Sequence, residues 1–318
     1  IGNNAGSGDA QQGALIGAAV GAVLLLFILP ALLITALLRQ TRSLHGDARF
    51  ARPAEVRASG LMAPTGIIVN NSFDNSYYGF YAYEAEHVQV IGNEYRNSVI
   101  YGIDPHDRSR DLNLSLNTAY GTYKKHGIIL SREVDDSTIV GNLTFDNHGS
   151  GIMLDRASTG TVIAGNTVRG NEGDGIAIFE SPCTLIGAND ITANGRSGVL
   201  VRNSWDVGIS QNRIARNDSA GVQGFISDLT ASKGSEGRNF DLDPYQPFTS
   251  LSISDNGITS NGAGIQTAGV SLAALYDNHF RDQSKRLFGG DLDSLSAVLL
   301  QNASKAPTLV STNCTPVL

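Results

Sequence analysis

The chain has 318 residues, a net charge of −7 and a sequence pI near 5.3. This acidic balance, with no long basic run in the repeat region, argues against nucleic-acid binding. The only cysteines are Cys183 and Cys314, and neither a CxxC nor an HxxxH spacing occurs, so neither a disulfide framework nor a metal site is expected.

The first predicted elements are a tail over residues 1–13 and a transmembrane helix over residues 14–38. The helix segment carries no charged residue, and about 20 apolar residues suffice to cross a bilayer. A secretory signal is a weaker alternative, because no basic segment precedes the apolar run and no clean cleavage site follows it. Five arginines follow the span within residues 39–57, and the positive-inside rule therefore places the next segment in the cytoplasm.

Residues 39–64 are predicted to be a linker, in which a short helix over residues 53–61 would cover the open edge of the first coil. The runs HGDARFA at 45–51 and EVRASGL at 55–61 resemble the stretch after the membrane span in conjugative coupling proteins of type IV secretion. Those proteins need a nucleotide-binding region, but no GxxxxGK[ST] motif occurs in the chain. The resemblance therefore suggests a fusion joined near Pro64 and not an ATPase.

A regular repeat dominates the chain from residue 65. Glycine followed by Ile, Val or Phe recurs with gaps of 23 to 25 residues, and asparagine recurs in step with it. The short apolar runs between these markers end in turn residues, which is typical of strands. A fixed period of this length indicates a solenoid. Three short strands per period predict an all-β, right-handed parallel β-helix over residues 65–285, whereas the leucine spacing disfavours a leucine-rich horseshoe. The repeat glycines are Gly79, Gly102, Gly127, Gly151, Gly175, Gly198 and Gly221.

The repeat also predicts which side chains share a face. Strand side chains alternate between faces, and equivalent positions in successive coils stack about 4.8 Å apart. The first and third positions after each repeat glycine are mostly apolar, as at Ile128 and Leu130, and are expected to point inward. The fourth and fifth positions then form an outward stripe of aromatic, imidazole, carboxylate and guanidinium groups. The fourth-position column is Tyr83, His106, Ser131, Asp155, Phe179 and Arg202, and the fifth is Glu84, Asp107, Arg132, Arg156, Glu180 and Asn203.

The remaining predicted features are structural. The recurring asparagines are expected to form stacked, hydrogen-bonded ladders in the turns. The polar loop over residues 230–248 interrupts the repeat and would form a wall of a groove, with coils resuming near Leu251 and Gly264. A short amphipathic helix over residues 293–301 is predicted within a C-terminal cap or tail, residues 286–318.

Among the motifs of the repeat region, the runs YYGFY at 77–81, YGIDPHDRS at 101–109 and KKHGII at 124–129 are distinctive. On these and the other motifs given below, residues 65 to about 300 resemble the bacterial mannuronan C-5 epimerases of alginate biosynthesis. The Asp-Pro-His-Asp run at 104–107 is the most specific of the matching motifs. The resemblance implies a β-helix that acts on polymannuronate in the periplasm, with His106 as the proton-abstracting base. It also implies that Asp104 and Asp107 complete the motif and that Arg132 neutralises the substrate carboxylate. The matching motifs are YYGFY at 77–81, YGIDPHDRS at 101–109, KKHGII at 124–129, SREV at 131–134, residues 151–156 and ISDL at 226–229.

The residue types suit this chemistry by themselves. Removing the C5 proton of a uronate creates a second negative charge beside the carboxylate, so a cation must stabilise the enolate-like transition state. Arg132 lies one coil and one position from His106, and its planar fork matches a carboxylate. Histidine's ordinary pKa of about 6.5 suits a general base. Asp104 and Asp107 are expected to raise the basicity of the ring or to fix its tautomer.

Other polar side chains on this face are predicted to bind neighbouring units of the polymer. The competing interpretation is structural: Asp155 and Arg202 would form ion pairs between coils, and Arg132 would pair with Glu133 or with a stacked carboxylate. The predicted substrate-binding residues are Lys124, Lys125, Asp155, Arg156, Arg202, His126, Tyr81 and Tyr83.

The group that returns a proton to C5 is left open by the sequence. Water, His126, Tyr81 or Tyr83 would each serve, and the alternative for His126 is to cap a turn. No cofactor is expected, because the transferred particle is a proton and not a hydride.

The sequence thus favours a membrane-tethered epimerase that converts β-D-mannuronate to α-L-guluronate within the polymer, with the alginate polymerisation and export machinery as a partner implied by the family alone. A polysaccharide lyase would form the same carbanion and then expel the C4 oxygen. A non-catalytic carbohydrate-binding β-helix, truncated from an enzyme, is the third alternative, because related enzymes carry more coils before YYGFY. For the location of the repeat domain, the charges that flank the span favour the cytoplasm, whereas the substrate of the resembled family favours the periplasm. The periplasm is preferred, because the catalytic residues are intact.

Overall fold

The computed structural model describes residues 65–231, 238–241, 243–290 and 292 and the backbone of Val298–Leu299. These residues form an all-β, right-handed parallel solenoid of about nine coils, as the repeat predicts. The predicted tail, transmembrane helix and linker, residues 1–64, lie outside the described residues. Within the described part of the chain, no helix is long and apolar enough to cross a bilayer.

Each coil contributes one strand to each of three parallel sheets, and neighbouring strands in a sheet come from successive coils. The first sheet contains β1 (Gly66–Val69), β4 (Val88–Ile91), β7 (Asn113–Ser115), β10 (Thr138–Val140), β13 (Val162–Ala164), β16 (Leu185–Gly187), β19 (Val207–Ser210), β22 (Ser250–Ser254), β25 (Leu272–Tyr276) and β28 (Val298–Leu299). The second contains β2 (Ser72–Asp74), β5 (Glu94–Arg96), β8 (Thr118–Tyr120), β11 (Leu143–Phe145), β14 (Thr167–Arg169), β17 (Asp190–Thr192), β20 (Arg213–Ala215), β23 (Gly257–Thr259) and β26 (His279–Arg281). The third contains β3 (Tyr78–Tyr83), β6 (Tyr101–His106), β9 (Ile128–Ser131), β12 (Ile152–Asp155), β15 (Ile176–Phe179), β18 (Val199–Arg202), β21 (Ala220–Phe225), β24 (Ala263–Ala268) and β27 (Arg286–Gly290).

Stacked aliphatic side chains fill the interior of the solenoid. Ile128 and Leu130 are fully buried, and Ile128 pairs in register with Ile103 of the preceding coil and Ile152 of the next. Burying such a side chain stabilises the fold by about 1.5–3 kcal/mol. The prediction that the first and third positions after each repeat glycine point inward is therefore confirmed.

The repeat glycines lie where the backbones of neighbouring coils approach closely. A Cβ atom on Gly102 would lie 2.5 Å from the carbonyl oxygen of Gly127, and one on Gly175 would lie 2.6 Å from that of Gly198. No side chain fits at such distances, so glycine recurs for steric reasons where each third-sheet strand begins.

The recurring asparagines form two ladders in the turns, as predicted. Asn142 Nδ2 donates to Asn166 Oδ1 in the next coil at 3.0 Å and to the Leu114 carbonyl at 2.8 Å. Asn142 Oδ1 accepts the backbone N–H of Asn117 at 2.9 Å. Each amide therefore satisfies backbone groups that the turns would otherwise leave unpaired. The first ladder is Asn71, Asn93, Asn117, Asn142, Asn166, Asn189, Asn212, Asn256 and Asn278, and the second is Asn147, Asn171, Asn194, Asn217 and Asn261 followed by Gln283.

The third sheet continues through β27 to Gly290, beyond residue 285, where the solenoid was predicted to end. Of the helix predicted over residues 293–301, only Val298–Leu299 is described, and it forms β28, which pairs in parallel with β25. For these two residues the helix prediction is wrong, because their backbone extends the first sheet. Apart from Leu292 and Val298–Leu299, the predicted cap beyond residue 290 lies outside the described residues.

Substituting one ladder residue tests its contribution to stability. Asn142→Ala leaves the backbone N–H of Asn117 and the carbonyl of Leu114 without these partners, and each buried unsatisfied group costs about 1–3 kcal/mol. The free energy of unfolding in urea should therefore fall by about 2 kcal/mol or more. Asn113→Ala, on the outer face of β7, is the matched control and should change it by less than about 0.5 kcal/mol. Equal losses in both variants would contradict the proposed contribution of the ladder.

Candidate functional site

The outer face of the third sheet carries the predicted stripe of polar side chains. Strand pairing places His106 beside Tyr83 of the preceding coil and Ser131 of the next coil. The same register continues through Asp155 and Phe179 to Arg202. The fourth-position column predicted from the repeat is therefore present in the fold.

Asp107 connects His106 with Arg132. His106 Nδ1 lies 2.7 Å from Asp107 Oδ2, in a contact that lacks the alignment of a good hydrogen bond. Arg132 Nη1 donates to the other oxygen, Asp107 Oδ1, at 3.1 Å. Both Asp107 and Arg132 adopt the left-handed backbone conformation, with φ of 35° and 67°, in the turn that follows the strand. Because Nδ1 faces Asp107, Nε2 is the ring nitrogen left to meet a substrate.

The environment of Asp107 keeps its carboxylate charged. Burial alone would raise its pKa, but the contacts with His106 and Arg132 outweigh burial, so that the pKa lies below its ordinary value. A charged Asp107 favours the tautomer of His106 that carries its proton on Nδ1.

Asp104 lies in the same motif but in a different environment. Asp104 is only 1% exposed, and its Oδ1 has no hydrogen-bond partner among the described residues. Burial raises the pKa of Asp104 to about 7, although His106 and a hydrogen bond with Ser131 oppose this. Near neutral pH a large fraction of Asp104 is therefore protonated, and a protonated carboxyl can donate a hydrogen bond to a substrate carboxylate.

Arg132 makes its strongest contacts with Asp243, which the sequence analysis did not identify. Arg132 Nε donates to Asp243 Oδ1 at 2.7 Å and Nη2 donates to Oδ2 at 2.9 Å. The hydrogen bonds to Asp243, followed by the charges of Asp243 and Asp107, raise the pKa of Arg132, while desolvation opposes them. Arg156 extends the cluster: its Nε donates to Asp155 Oδ2 at 2.9 Å, and its Nη1 lies 3.9 Å from Asp243 Oδ2.

Arg202, in the sixth coil, forms an ion pair between coils, which was the structural alternative for this residue. Arg202 Nη2 lies 2.8 Å from Glu180 Oε1, and the Arg202 guanidinium covers the Phe179 ring at 3.9 Å from its centroid. Arg238 Nη1 donates to Glu180 Oε2 at 2.8 Å. Glu180 is thus shared by two arginines in a buried ion-pair cluster, and Phe179 is covered by a guanidinium and not open to a sugar ring.

His126 and the two lysines lie away from the polar stripe. Lys124 and Lys125 are exposed in the turn before β9, at the opposite end of the strand from Ser131. The His126 ring stacks on Tyr101 with centroids 5.8 Å apart, and its Nδ1 accepts the Ser150 backbone N–H at 2.8 Å. Burial, with a smaller effect of Lys125, lowers the pKa of His126 to about 3. His126 is therefore neutral and caps a turn.

Tyr81 and Tyr83 lie on β3, one coil before the motif, and Tyr101 begins β6, the strand that carries the motif. The Tyr81 ring lies 5.9 Å from the His106 ring, and burial followed by the charge of Asp104 raises the pKa of Tyr81. The same causes raise the pKa of Tyr101, so both phenols carry their protons at neutral pH. Tyr83 Oη accepts a hydrogen bond from Arg108 Nη2 at 3.2 Å, so Tyr83 is engaged elsewhere.

An apolar floor lies on the outer face of the third sheet beyond the motif. Ile129, Met153 and Ala177 point outward from the third sheet yet are buried, and Tyr101 and Phe179 pack against them. A floor of this kind lowers the local dielectric constant, which strengthens the electrostatic interactions of neighbouring charges.

The fold and the site together define the class: a right-handed parallel β-helix protein whose outer face brings a histidine, carboxylates and a guanidinium together. Residues 66–240, more than half of the chain, match the family described as "Periplasmic copper-binding protein (NosD)". The chain belongs to this family.

Individual relatives are similar over most of the solenoid. The chain is 48% identical over 200 residues to the mannuronan C5-epimerase AlgG of Azotobacter vinelandii, a match that covers 63% of this chain and 37% of that one. It is 50% identical over 201 residues to the mannuronan C5-epimerase of Pseudomonas aeruginosa, covering 63% and 36%. A crystal structure of the periplasmic alginate epimerase AlgG is 39% identical, with a TM-score of 0.69 over 72% of this chain and 53% of that one. The chain thus spans under two fifths of the length of these two sequence relatives.

The family description raises the question of copper. Among the residues that the structure describes, no three His, Cys, Asp or Glu side chains converge in an arrangement that could hold a metal ion. The described residues therefore do not fit a copper site, and the mechanism below uses protein groups alone.

Asp104 provides a test through the pH dependence of stability. Its carboxyl ionises near 3.8 in the unfolded chain and near 7 in the folded chain. Its contribution is therefore fully present below about pH 4 and is lost as the pH rises towards 7. Asp104→Asn removes this titration, so the variant should gain stability over the parent between pH 4 and pH 7, by up to about 4 kcal/mol.

Urea unfolding at several pH values between 4 and 7 measures this difference. Asp218→Asn, at an exposed turn position, is the matched control and should follow the parent at every pH. A difference between Asp104→Asn and the parent that stays constant with pH would contradict the assignment.

Proposed function

We propose that the chain is a mannuronan C-5 epimerase, an isomerase that converts β-D-mannuronate to α-L-guluronate residues in polymeric alginate. The observation that supports it best is the contact series His106–Asp107–Arg132, in which one carboxylate holds both a base and a cation at the same groove. The similarity to enzymes named mannuronan C5-epimerase supports the same substrate class. The chemistry needs no cofactor, since only a proton is transferred.

In the proposed reaction the uronate carboxylate lies against the guanidinium of Arg132. His106 Nε2 removes the C5 proton, and the electron pair of the broken C–H bond moves into the carboxylate as an enolate-like anion. Arg132 stabilises the added charge, and a protonated Asp104 adds a hydrogen bond to it. Arg156 is proposed to bind a neighbouring carboxylate of the polymer.

Inversion requires that a proton return to C5 from the opposite face of the sugar. Tyr81 is the proposed donor, because its phenol is protonated and its ring lies 5.9 Å from that of His106. After the transfer, solvent returns a proton to the Tyr81 phenolate and takes one from His106, which restores the site. Water is the alternative donor. His126 fits poorly, because it is neutral and its Nδ1 is engaged by Ser150.

Proton NMR of polymannuronate incubated with the full chain in D₂O, in detergent where needed, tests the proposal. Guluronate signals with deuterium at C5 are expected for the parent. His106→Ala should lower their rate of appearance at least about 100-fold, because a positioned general base contributes about 10²- to 10⁴-fold. His148→Ala is the matched control, since this exposed histidine pairs with Glu172 at a turn outside the groove and should keep the parent rate.

The same experiment separates the alternatives. An unsaturated product that absorbs in the ultraviolet, formed by the parent and lost in His106→Ala, would indicate a polysaccharide lyase. Polymer binding without conversion, with His106→Ala binding as the parent does, would indicate a non-catalytic carbohydrate-binding β-helix.

We further infer a periplasmic, membrane-anchored location, with the alginate polymerisation and export machinery as the proposed partner. The uncharged segment at residues 14–38 supports the anchor, and the similarity to a periplasmic alginate epimerase supports the compartment. Alkaline phosphatase fused after Leu38 or after Leu318 should be active. Fluorescent reporters that fold only in the cytoplasm should be dark at both positions, and bright signals there would contradict the location.

A further inference from the structure

The loop between β21 and β22 places a carboxylate in the candidate site. Asp243 forms a two-point hydrogen bond with Arg132, from which it is separated by 111 residues in the sequence. Its side chain is only 5% exposed. Two-point bonds between a guanidinium and a carboxylate fix the plane of the guanidinium as well as its position.

Buried ion pairs hold this loop against the third sheet. Arg238 Nε and Nη2 donate to the backbone carbonyl of Asp243 at 3.2 and 3.0 Å, while Arg238 Nη1 donates to Glu180. The side chains of Arg238 and Glu180 are 10% and 2% exposed. At the start of the loop, Asn203 Nδ2 donates to the Ser227 carbonyl at 2.8 Å, and within the loop Tyr245 Oη donates to Asp228 at 2.9 Å. Attachment of the loop to Glu180 and Asn203 favours a fixed carboxylate over one that substrate displaces.

The contacts of Arg132 leave part of its guanidinium for a ligand. Three of its five N–H groups donate to Asp243 and Asp107, so that up to two N–H groups can meet a substrate carboxylate. Arg156 follows one coil later at the equivalent position, and its positive charge and that of Arg132 repel each other. Asp243 lies within reach of both and offsets this repulsion.

We propose that Asp243 is a positioning residue for the reaction, an inference that rests on the proposed epimerase activity. It fixes the plane of the Arg132 guanidinium, and Arg132 in turn fixes the carboxylate of Asp107 that faces His106. The remaining N–H groups of Arg132 are thereby aimed at the position of the substrate carboxylate, in line with the base.

Kinetics of charge-matched variants test this inference. Asp243→Asn should lower kcat by about 10- to 100-fold, because small misplacements of catalytic groups cost rates of this order, while KM changes less than about threefold. Asp241→Asn removes a charge from an exposed position of the same loop and should behave as the parent. Asp243→Glu keeps the charge but lengthens the side chain, and it should fall between the parent and Asp243→Asn.

A second measurement does not depend on turnover. The side-chain Nε–H of Arg132, assigned in ¹⁵N NMR spectra by its loss in Arg132→Lys, should exchange slowly with solvent in the parent and in Asp241→Asn. Exchange should be at least tenfold faster in Asp243→Asn. If the parent shows no turnover, the proposed function fails, but this measurement still decides whether Asp243 fixes Arg132.

Two results would overturn the inference. One is unchanged Nε–H exchange in Asp243→Asn. The other is a higher kcat/KM through a lower KM in Asp243→Asn, which would mean that Asp243 competes with the substrate carboxylate for Arg132.

Discussion

In-register parallel hydrogen bonding between coils is the constraint on which the rest of the molecule depends. It fixes which residue lies next to which at every position, so that the site is built from single residues of successive coils. The ladder between β6 and β9 is incomplete at the motif itself: Ile103 with Ile128 and His106 with Ser131 pair at the same offset, whereas Asp104 and Pro105 do not pair with β9. Pro105 has no N–H to donate, which accounts for part of this gap.

The repeat restricts the interior much more than the groove. Glycines at the close approaches, asparagines in the turns and aliphatic residues in the core each have a specific steric or hydrogen-bonding requirement. Outward positions lack these requirements, and one column therefore accommodates side chains as different as His106, Asp155 and Arg202. Chemistry can accordingly change from coil to coil on this face while the scaffold stays the same.

This division explains which features the sequence could predict. The core, the ladders and the pairing of His106 with Ser131 follow from the period, because a fixed period determines the neighbours. The contact of Arg132 with Asp243 does not, because it links a coil to a loop outside the repeat. The pairing of Arg202 with Glu180 was anticipated only as an alternative, and the burial of His126 could not be read from its position in a turn. The amphipathic pattern was read over residues 293–301, yet within it Val298–Leu299 pair with the first sheet.

The charges at the site indicate how a polyanion would be recognised. Arg132 and Arg156 are accompanied by Asp107, Asp155 and Asp243, so the described cluster holds no excess of positive charge. Attraction by net charge is therefore weak, and selection of a carboxylate depends on the direction of the unoccupied N–H groups. The raised pKa of Asp104 fits the same logic, because a neutral carboxyl lowers the repulsion that a uronate meets and offers a donor in its place. For the proposed substrate, alignment of donors held by buried carboxylates would thus take the place of a net positive charge in the described cluster.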